Sequence, residues 1–243
     1  MLVGDGLCPP TVTIVSLAPL NRPTMRNVLA IDIGGTNVKF LSSGETEARR
    51  FPSGKTLTPS QMVEQLLEAT KDWNYDLITI GYPGPVVHGR AVLEPRNLGR
   101  GWVGFDFTAR LGKPAKLIND AAMQALGSYE GGRMLFLGLG TGLGTTLIID
   151  KVIAPMELAH LPYRKGHTFE DYVGARGLER LGTKKWQRAV HDVTMRLKAA
   201  LVADYVVLGG GNSKKLDELP PGARLGNNAN AFEGGFRLWH DYE

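Results

Sequence analysis

The chain has 243 residues, 43% of them hydrophobic, which suits a globular protein of one or two domains with buried cores. Its formal charge of +4 comes from 28 basic and 24 acidic residues interspersed along the chain, which argues against nucleic acid as a partner. The single cysteine, Cys8, excludes an intramolecular disulfide and a cysteine-rich zinc site, and the apolar run TVTIVSLAPL is too short to cross a bilayer, so a soluble, cytoplasmic protein is expected, with no membrane partner.

Residues 1–24 show neither periodicity nor dense polarity, and Met25 stands directly before RNVLAIDIGG, so a disordered leader over 1–26 is expected. Val28 to Ile33 is an apolar run with β-branched members, followed by Gly34-Gly35-Thr36 and alternating Val38 and Phe40: strand, tight turn, strand. From Pro59 to Trp73 the apolar positions 62, 63, 66, 67 and 69 are spaced for an amphipathic helix, with Thr58 as its N-cap. DLITIGYPGP then reads as a buried strand ending in a turn, and Lys116 to Asn119 as a short strand that opens at Asp120 into the helix AAMQALGSY. Strands and helices alternating in this way predict α/β layers.

After Gly131-Gly132 the segment RMLFLGLGTGLGTTLIIDK repeats the opening pattern of apolar strand, Gly/Thr-rich turn, apolar strand. A helix is predicted from about Thr183 to Leu201, with Trp186, Val190, Val193, Leu197 and Leu201 near one face. ADYVVLGGGNSKK is strand, glycine turn and helix start, and NNANAFEGGFRLW is helical in pattern despite Gly234 and Gly235, which permit close packing or a kink.

Each of the three glycine clusters ends an apolar strand and has Thr, Asn or Ser beside it. Glycine lets backbone N–H groups converge on an anion, and neighbouring hydroxyls and amides add donors, so such turns can hold phosphate. Any one of them could equally be only a tight turn. Two matching turns in successive α/β units, Asp32 to Lys39 and Gly138 to Thr146, point to two lobes facing one phosphate chain. A Walker loop is absent, and a dinucleotide fingerprint is disfavoured because LGLGTGLGTTLIID leads back into a strand rather than a helix.

IDIGGTNVKF, GYPGPV with PRNLGRGW, LINDAAMQALG, GLGTGLGTTL, ELAH and LGGGNSKK, in this order, resemble the ROK family of sugar kinases, and within it the polyphosphate glucokinases. The resemblance spans residues 28 to about 240 and rests on the ordered set. It implies an α/β, two-lobed actin-like ATPase (ribonuclease H-like) fold with the active site in the interlobe cleft. It also implies a first lobe over 27–130 plus 226–243, and a second over 131–225.

The same resemblance implies a Mg2+-dependent hexose kinase that phosphorylates the 6-hydroxyl of glucose from polyphosphate, ATP or both. Asp120 becomes the catalytic base, although on local sequence it could be only an N-cap. Asn97, Asn119, Glu157, His160 and Glu170 become sugar ligands. Asp32 would place Mg2+ through water, with Gly34, Gly35, Thr36 and Asn37 receiving phosphate; Lys39 adds a point charge or is a solvated strand residue. Gly140, Thr141, Gly142 and Gly144 would clamp from the opposite lobe, and Gly210, Gly211 and Asn212 would lie beside the adenosine of ATP.

Two departures from the family pattern stand out. The glycine before the sugar-binding histidine is Ala159 here, and the zinc site of many ROK proteins has no cysteines to build it, so no zinc is expected. Arg176, Arg180, Lys184, Lys185, Arg188, Lys214 and Lys215 form a basic group that is either a track for a polyanion or a solvated helix face. A ROK kinase for another hexose or amino sugar, and a catalytically silent sugar sensor, remain alternatives. A homodimer stays open.

Overall fold

The computed structural model of the protein describes residues 26–227 and 229–240, so the expected leader lies outside the described residues except for Arg26. In chain order the first half carries β1 (Val28–Ile33), β2 (Asn37–Ser42), β3 (Arg49–Pro52), α1 (Pro59–Ala69), β4 (Leu77–Tyr82), β5 (Val86–Val87), β6 (Arg90–Ala91), α2 (Phe107–Leu111), β7 (Ala115–Asn119) and α3 (Asp120–Ser128). The second carries β8 (Arg133–Leu139), β9 (Leu143–Ile149), β10 (Val152–Met156), a 3-10 turn Leu158–His160, β11 (Pro162–Arg164), β12 (His167–Thr168), α4 (Phe169–Val173), α5 (Ala175–Leu181), α6 (Thr183–Ala200), β13 (Tyr205–Gly209), a 3-10 turn Gly211–Lys215 and β14 (Ala223–Leu225); α7 (Asn230–His240) closes the described chain.

The sequence repeat becomes a structural one. Two five-stranded sheets run in the orders β3-β2-β1-β4-β7 and β10-β9-β8-β13-β14. In each, three antiparallel strands continue into two parallel ones: β1 and β8 pair antiparallel with the strand that follows and parallel with β4 and β13. β1 and β4 are nearly continuous apolar runs because a parallel strand in mid-sheet is covered on both faces. Each glycine turn joins the first two strands of its sheet, so the repeat delivers two equivalent turns.

The helix after β7 connects the halves. α3 packs on β4 and β7 of the first sheet and on β8 and β9 of the second, and its Ala121, Ala125 and Leu126 share a core cluster with Phe136, Ile148 and Val207. α7 returns to the first sheet, against β1 and β4, and crosses α3 at backbone contact: a Cβ on Gly127 would run into the carbonyl of Asn230, and one on Gly234 into that of Met123. Gly234 and Gly235 therefore serve close packing. α1 begins as expected, with Thr58 and Gln61 forming a reciprocal capping box.

Candidate active site

The first glycine turn is tied from outside. Gly34 N–H donates to the Asn37 carbonyl at 3.0 Å, while Ser53, just past β3, donates from its hydroxyl to the Gly34 carbonyl at 2.6 Å and from its N–H to that of Thr36 at 2.9 Å. Gly35 and Thr36 are left exposed at the tip. A Cβ on Gly35 would stand 3.3 Å from Asn97 Cβ, so the loop carrying the expected sugar ligand reaches the phosphate turn.

That loop has an organiser the sequence reading missed. The Glu94 carboxylate accepts from the N–H groups of Gly101 at 3.1 Å, Trp102 at 3.2 Å and Val103 at 3.3 Å, and Gly99 N–H donates to the Leu57 carbonyl at 2.9 Å. One carboxylate receiving three successive backbone donors folds the chain back on itself, leaving Asn97 exposed on the bend. The acidic residue three positions before Asn97, ahead of a Gly-rich run, was the available signal.

Asn119 and Asp120 divide the two roles the sequence left open. Asn119 is the N-cap of α3: its Oδ1 accepts from Ala122 N–H at 3.1 Å and its Nδ2 donates to the Gly84 carbonyl at 3.0 Å. One N–H and one lone pair of that amide remain for a ligand. Asp120 is then the first helical residue, not the cap, and its Oδ1 accepts from Ala121 N–H at 2.7 Å. Burial, with the negative charges of Asp32 and Glu157 adding, pushes the Asp120 carboxyl up to about 7.

Asp32 lies opposite Lys39 in the β1–β2 register, on the same face. Burial raises its carboxyl above the usual range and the Lys39 ammonium opposes that rise. Lys39 thus faces a carboxylate, a third surrounding between the point charge and the solvated residue weighed from sequence.

The second turn approaches from the other sheet. Gly140 N–H donates to the Gly142 carbonyl at 3.2 Å, the Thr141 carbonyl accepts from Ala175 at 3.1 Å, and Asn212 Nδ2 donates to the Gly140 carbonyl at 3.1 Å, which joins the third glycine turn to the second. Gly210, at φ 80°, sits so close to the Leu139 backbone that a Cβ there would meet its carbonyl at 2.5 Å. A Cβ on Gly144 would lie 2.8 Å from Ala121 Cβ, which brings the second turn against the first turn of α3, beside Asp120. Gly211 is exposed.

On the sugar side, Glu157 takes the N-cap position of the 3-10 turn and His160 ends it, both exposed, and Glu157 lies near enough to Asp120 for its charge to be felt there. Thr145 fixes this turn, donating to the Met156 carbonyl at 2.5 Å and accepting from Leu158 N–H at 3.3 Å. Ala159, which stands in the family's glycine position, is buried in the second core, so its methyl group has a packing role. Glu170 accepts from Leu143 N–H at 3.3 Å, sits 3.6 Å from Arg176, and occupies the space a Cβ on Gly142 would need.

The basic group splits. Arg176 turns to Glu170, and Arg180 donates to the Asp171 carbonyl at 2.7 Å and lies over the Tyr172 ring, whereas Lys184, Lys185, Arg188, Lys214 and Lys215 are exposed. Gln187 donates to the Lys215 carbonyl at 2.6 Å, which ties α6 to the third turn. Among the described residues no three His, Cys, Asp or Glu side chains converge as a ready-made metal cluster. A cavity of about 510 Å³ at the far end of α3, lined by Tyr129, Asp150, Lys151 and Arg237, touches none of the expected site residues.

No family model matches the chain. It is 26% identical over 220 residues to polyphosphate glucokinase of Mycobacterium tuberculosis, covering 82% of each chain. Among solved structures, the inorganic polyphosphate/ATP-glucomannokinase of Arthrobacter sp. strain KM matches with a TM-score of 0.72 and 26% identity over 90% of this chain and all of that one. A ROK family glucokinase from Streptomyces griseus, in complex with glucose and AMPPNP, matches with a TM-score of 0.70 at 16% identity, covering 87% of this chain and 98% of that one, a likeness of fold. The chain therefore has the two-sheet actin-like ATPase fold of the ROK sugar kinases and is homologous to polyphosphate glucokinases.

Proposed function

From that homology we propose that the protein is a glucokinase that transfers a phosphoryl group from polyphosphate or ATP to the 6-hydroxyl of glucose. The observation that carries this reading is Asp120: a half-buried carboxyl raised to about 7, held at the start of α3 where the second glycine turn meets it and under the influence of Asp32 and Glu157. A carboxylate poised near neutrality is what general-base catalysis at a sugar hydroxyl needs.

In this reading Asn97, Asn119, Glu157, His160 and Glu170 orient the sugar, with carboxylates accepting paired hydrogen bonds from neighbouring hydroxyls. The first turn (Gly34, Gly35, Thr36, Asn37) and the second (Gly140, Thr141, Gly142, Gly144) receive the donor phosphates from opposite sides. Asp120 takes the 6-hydroxyl proton as that oxygen bonds to the terminal phosphorus, while the bond from phosphorus to the bridging oxygen of the donor breaks. Asp32, a carboxylate coupled to Asp120 and opposed by the Lys39 ammonium, fits a hydrated Mg2+ held through water. Bound there, the ion would neutralise charge developing on the transferred phosphoryl group. The donor choice rests on the exposed cations of α6 and the third turn, which suit a chain longer than a triphosphate.

The test is glucose 6-phosphate formation with Mg2+, with polyphosphate and ATP in parallel arms and mannose as a second acceptor, since the Arthrobacter relative is a glucomannokinase. Product from polyphosphate that disappears in Asp120→Asn supports the whole reading. Product from ATP alone removes polyphosphate as donor, and no product from either sugar removes the kinase.

A further inference from the structure

The sugar-binding turn and α4 are joined by a hairpin, β11–β12, whose central side chain is anchored elsewhere. Tyr163 packs its ring against Phe169, with centroids 5.2 Å apart, and edge-on against Tyr172 at 4.9 Å. Its hydroxyl donates to Asp192 Oδ2 on α6 at 2.6 Å. The same carboxylate oxygen accepts from Arg164 at 3.0 Å and Arg196 at 2.8 Å, and both guanidinium groups lie over the Tyr163 ring. Burial alone would raise the Asp192 carboxyl, but the hydrogen bonds from Tyr163 and Arg196 and the two positive charges hold it below the usual range.

The position of this knot in the chain gives it reach. Tyr163 is three residues after His160, and Phe169, on which it packs, immediately precedes Glu170. Phe169 N–H donates to the Leu161 carbonyl at 3.2 Å, so the two ends of the loop are already closed at their base. The hairpin between them is short and mostly exposed, and a two-stranded ribbon of this size is not stable by itself. Its orientation is set where Tyr163 meets α6, a long helix whose Val190, Val193 and Leu197 are buried in the second core.

We propose that Asp192, acting through Tyr163, is a positioning residue that fixes His160 and Glu170 relative to each other for sugar binding. Asp192 touches no substrate. It converts the rigidity of α6 into a defined course for the hairpin that joins the two ligands. The proposal rests on the sugar-binding roles assigned above to His160 and Glu170.

The test compares Tyr163→Phe, which removes only the hydroxyl, with Asp192→Ala and Asp192→Asn in the full chain. For the first two, the glucose KM rises about fivefold to twentyfold, while kcat and the donor KM stay within about twofold, the pattern of lost ground-state binding. Asp192→Asn, whose amide oxygen still accepts the tyrosine hydroxyl, recovers most of the loss. A glucose KM unchanged in Tyr163→Phe, or kcat and both KM values moving together, overturns the proposal; if Asp192→Ala does not fold, Tyr163→Phe decides. Hydrogen exchange of residues 157–170 in sugar-free protein separates this proposal from the glucose reading. Faster exchange in Tyr163→Phe supports the anchor even if the parent enzyme does not use glucose, and unchanged exchange overturns it.

Discussion

The Asp32 carboxylate, on β1, raises the proton affinity of Asp120, in the first turn of α3. The base must be ionised to accept a proton, so kcat/KM of the free enzyme falls on the acid side with an apparent pKa near the value of about 7 set by burial and by Asp32 and Glu157. Removing the Asp32 charge weakens one cause of that rise. In Asp32→Asn the acid limb of the residual activity therefore moves to lower pH, which a pH–rate profile from pH 5 to 9 would read. A limb that stays in place would mean the two groups are not coupled.

Asp120 also links catalysis to stability, with a definite sign. Its folded-state value of about 7 is above the ordinary 3.8, so the native protein holds this proton after the unfolded chain has lost it. The stabilisation from that proton is complete below about pH 4 and is lost as pH rises through about 7. At pH 8 the ionised, half-buried carboxylate costs the fold on the order of a few kcal/mol. Asp120→Asn should thus melt several degrees higher than the parent at pH 8, with the gap closing toward pH 4, while turnover falls by about 10² to 10⁴. A variant more stable and nearly inactive is the mark of a strained functional group.

Much of this was readable in the sequence where one residue type answers one physical demand. The glycine turns, the apolar parallel strands and the Thr58 capping box follow from local rules, and the repeat of strand, turn and strand foretold the two equivalent sheets. The segment 156–172 did not yield, because its order comes from outside it: Thr145 fixes the 3-10 turn, Asp192 holds Tyr163, and both are remote in sequence. Asn119 and Asp120 could not be ranked as cap and base from sequence, since either side chain can cap; only the helix start distinguishes them. Glu94 was passed over because three backbone donors leave no pattern in composition.

Val202 is a local fault outside the site. It follows Leu201, the C-cap of α6, with φ 51°, a left-handed conformation that a β-branched residue adopts at a cost and that helices usually give to glycine. Its side chain is 69% exposed, so little packing is lost on removing it. Val202→Gly should stabilise the protein by about 1 kcal/mol, or roughly 2–4 °C in melting temperature, without changing kinetics. An unchanged or lower melting temperature would show that the strain is absent.

Gly142 and Glu170 tie the donor side of the site to the sugar side, because the Glu170 carboxylate fills the space beside the glycine and accepts from Leu143 N–H. A methyl group at 142 would displace the end of a long side chain rather than backbone, so the fold loses little while the carboxylate moves. Gly142→Ala is therefore expected to melt within about 2–4 °C of the parent, the shift expected from about 1 kcal/mol of strain, yet to raise the glucose KM roughly tenfold. Glu170→Gln alone should raise it by a similar factor. If the glycine acts through the carboxylate, the double variant is little worse than either single one, a coupling that a double-mutant cycle on the glucose KM measures directly. Additive losses would mean that Gly142 serves the donor turn alone and that the two halves of the site bind their substrates independently.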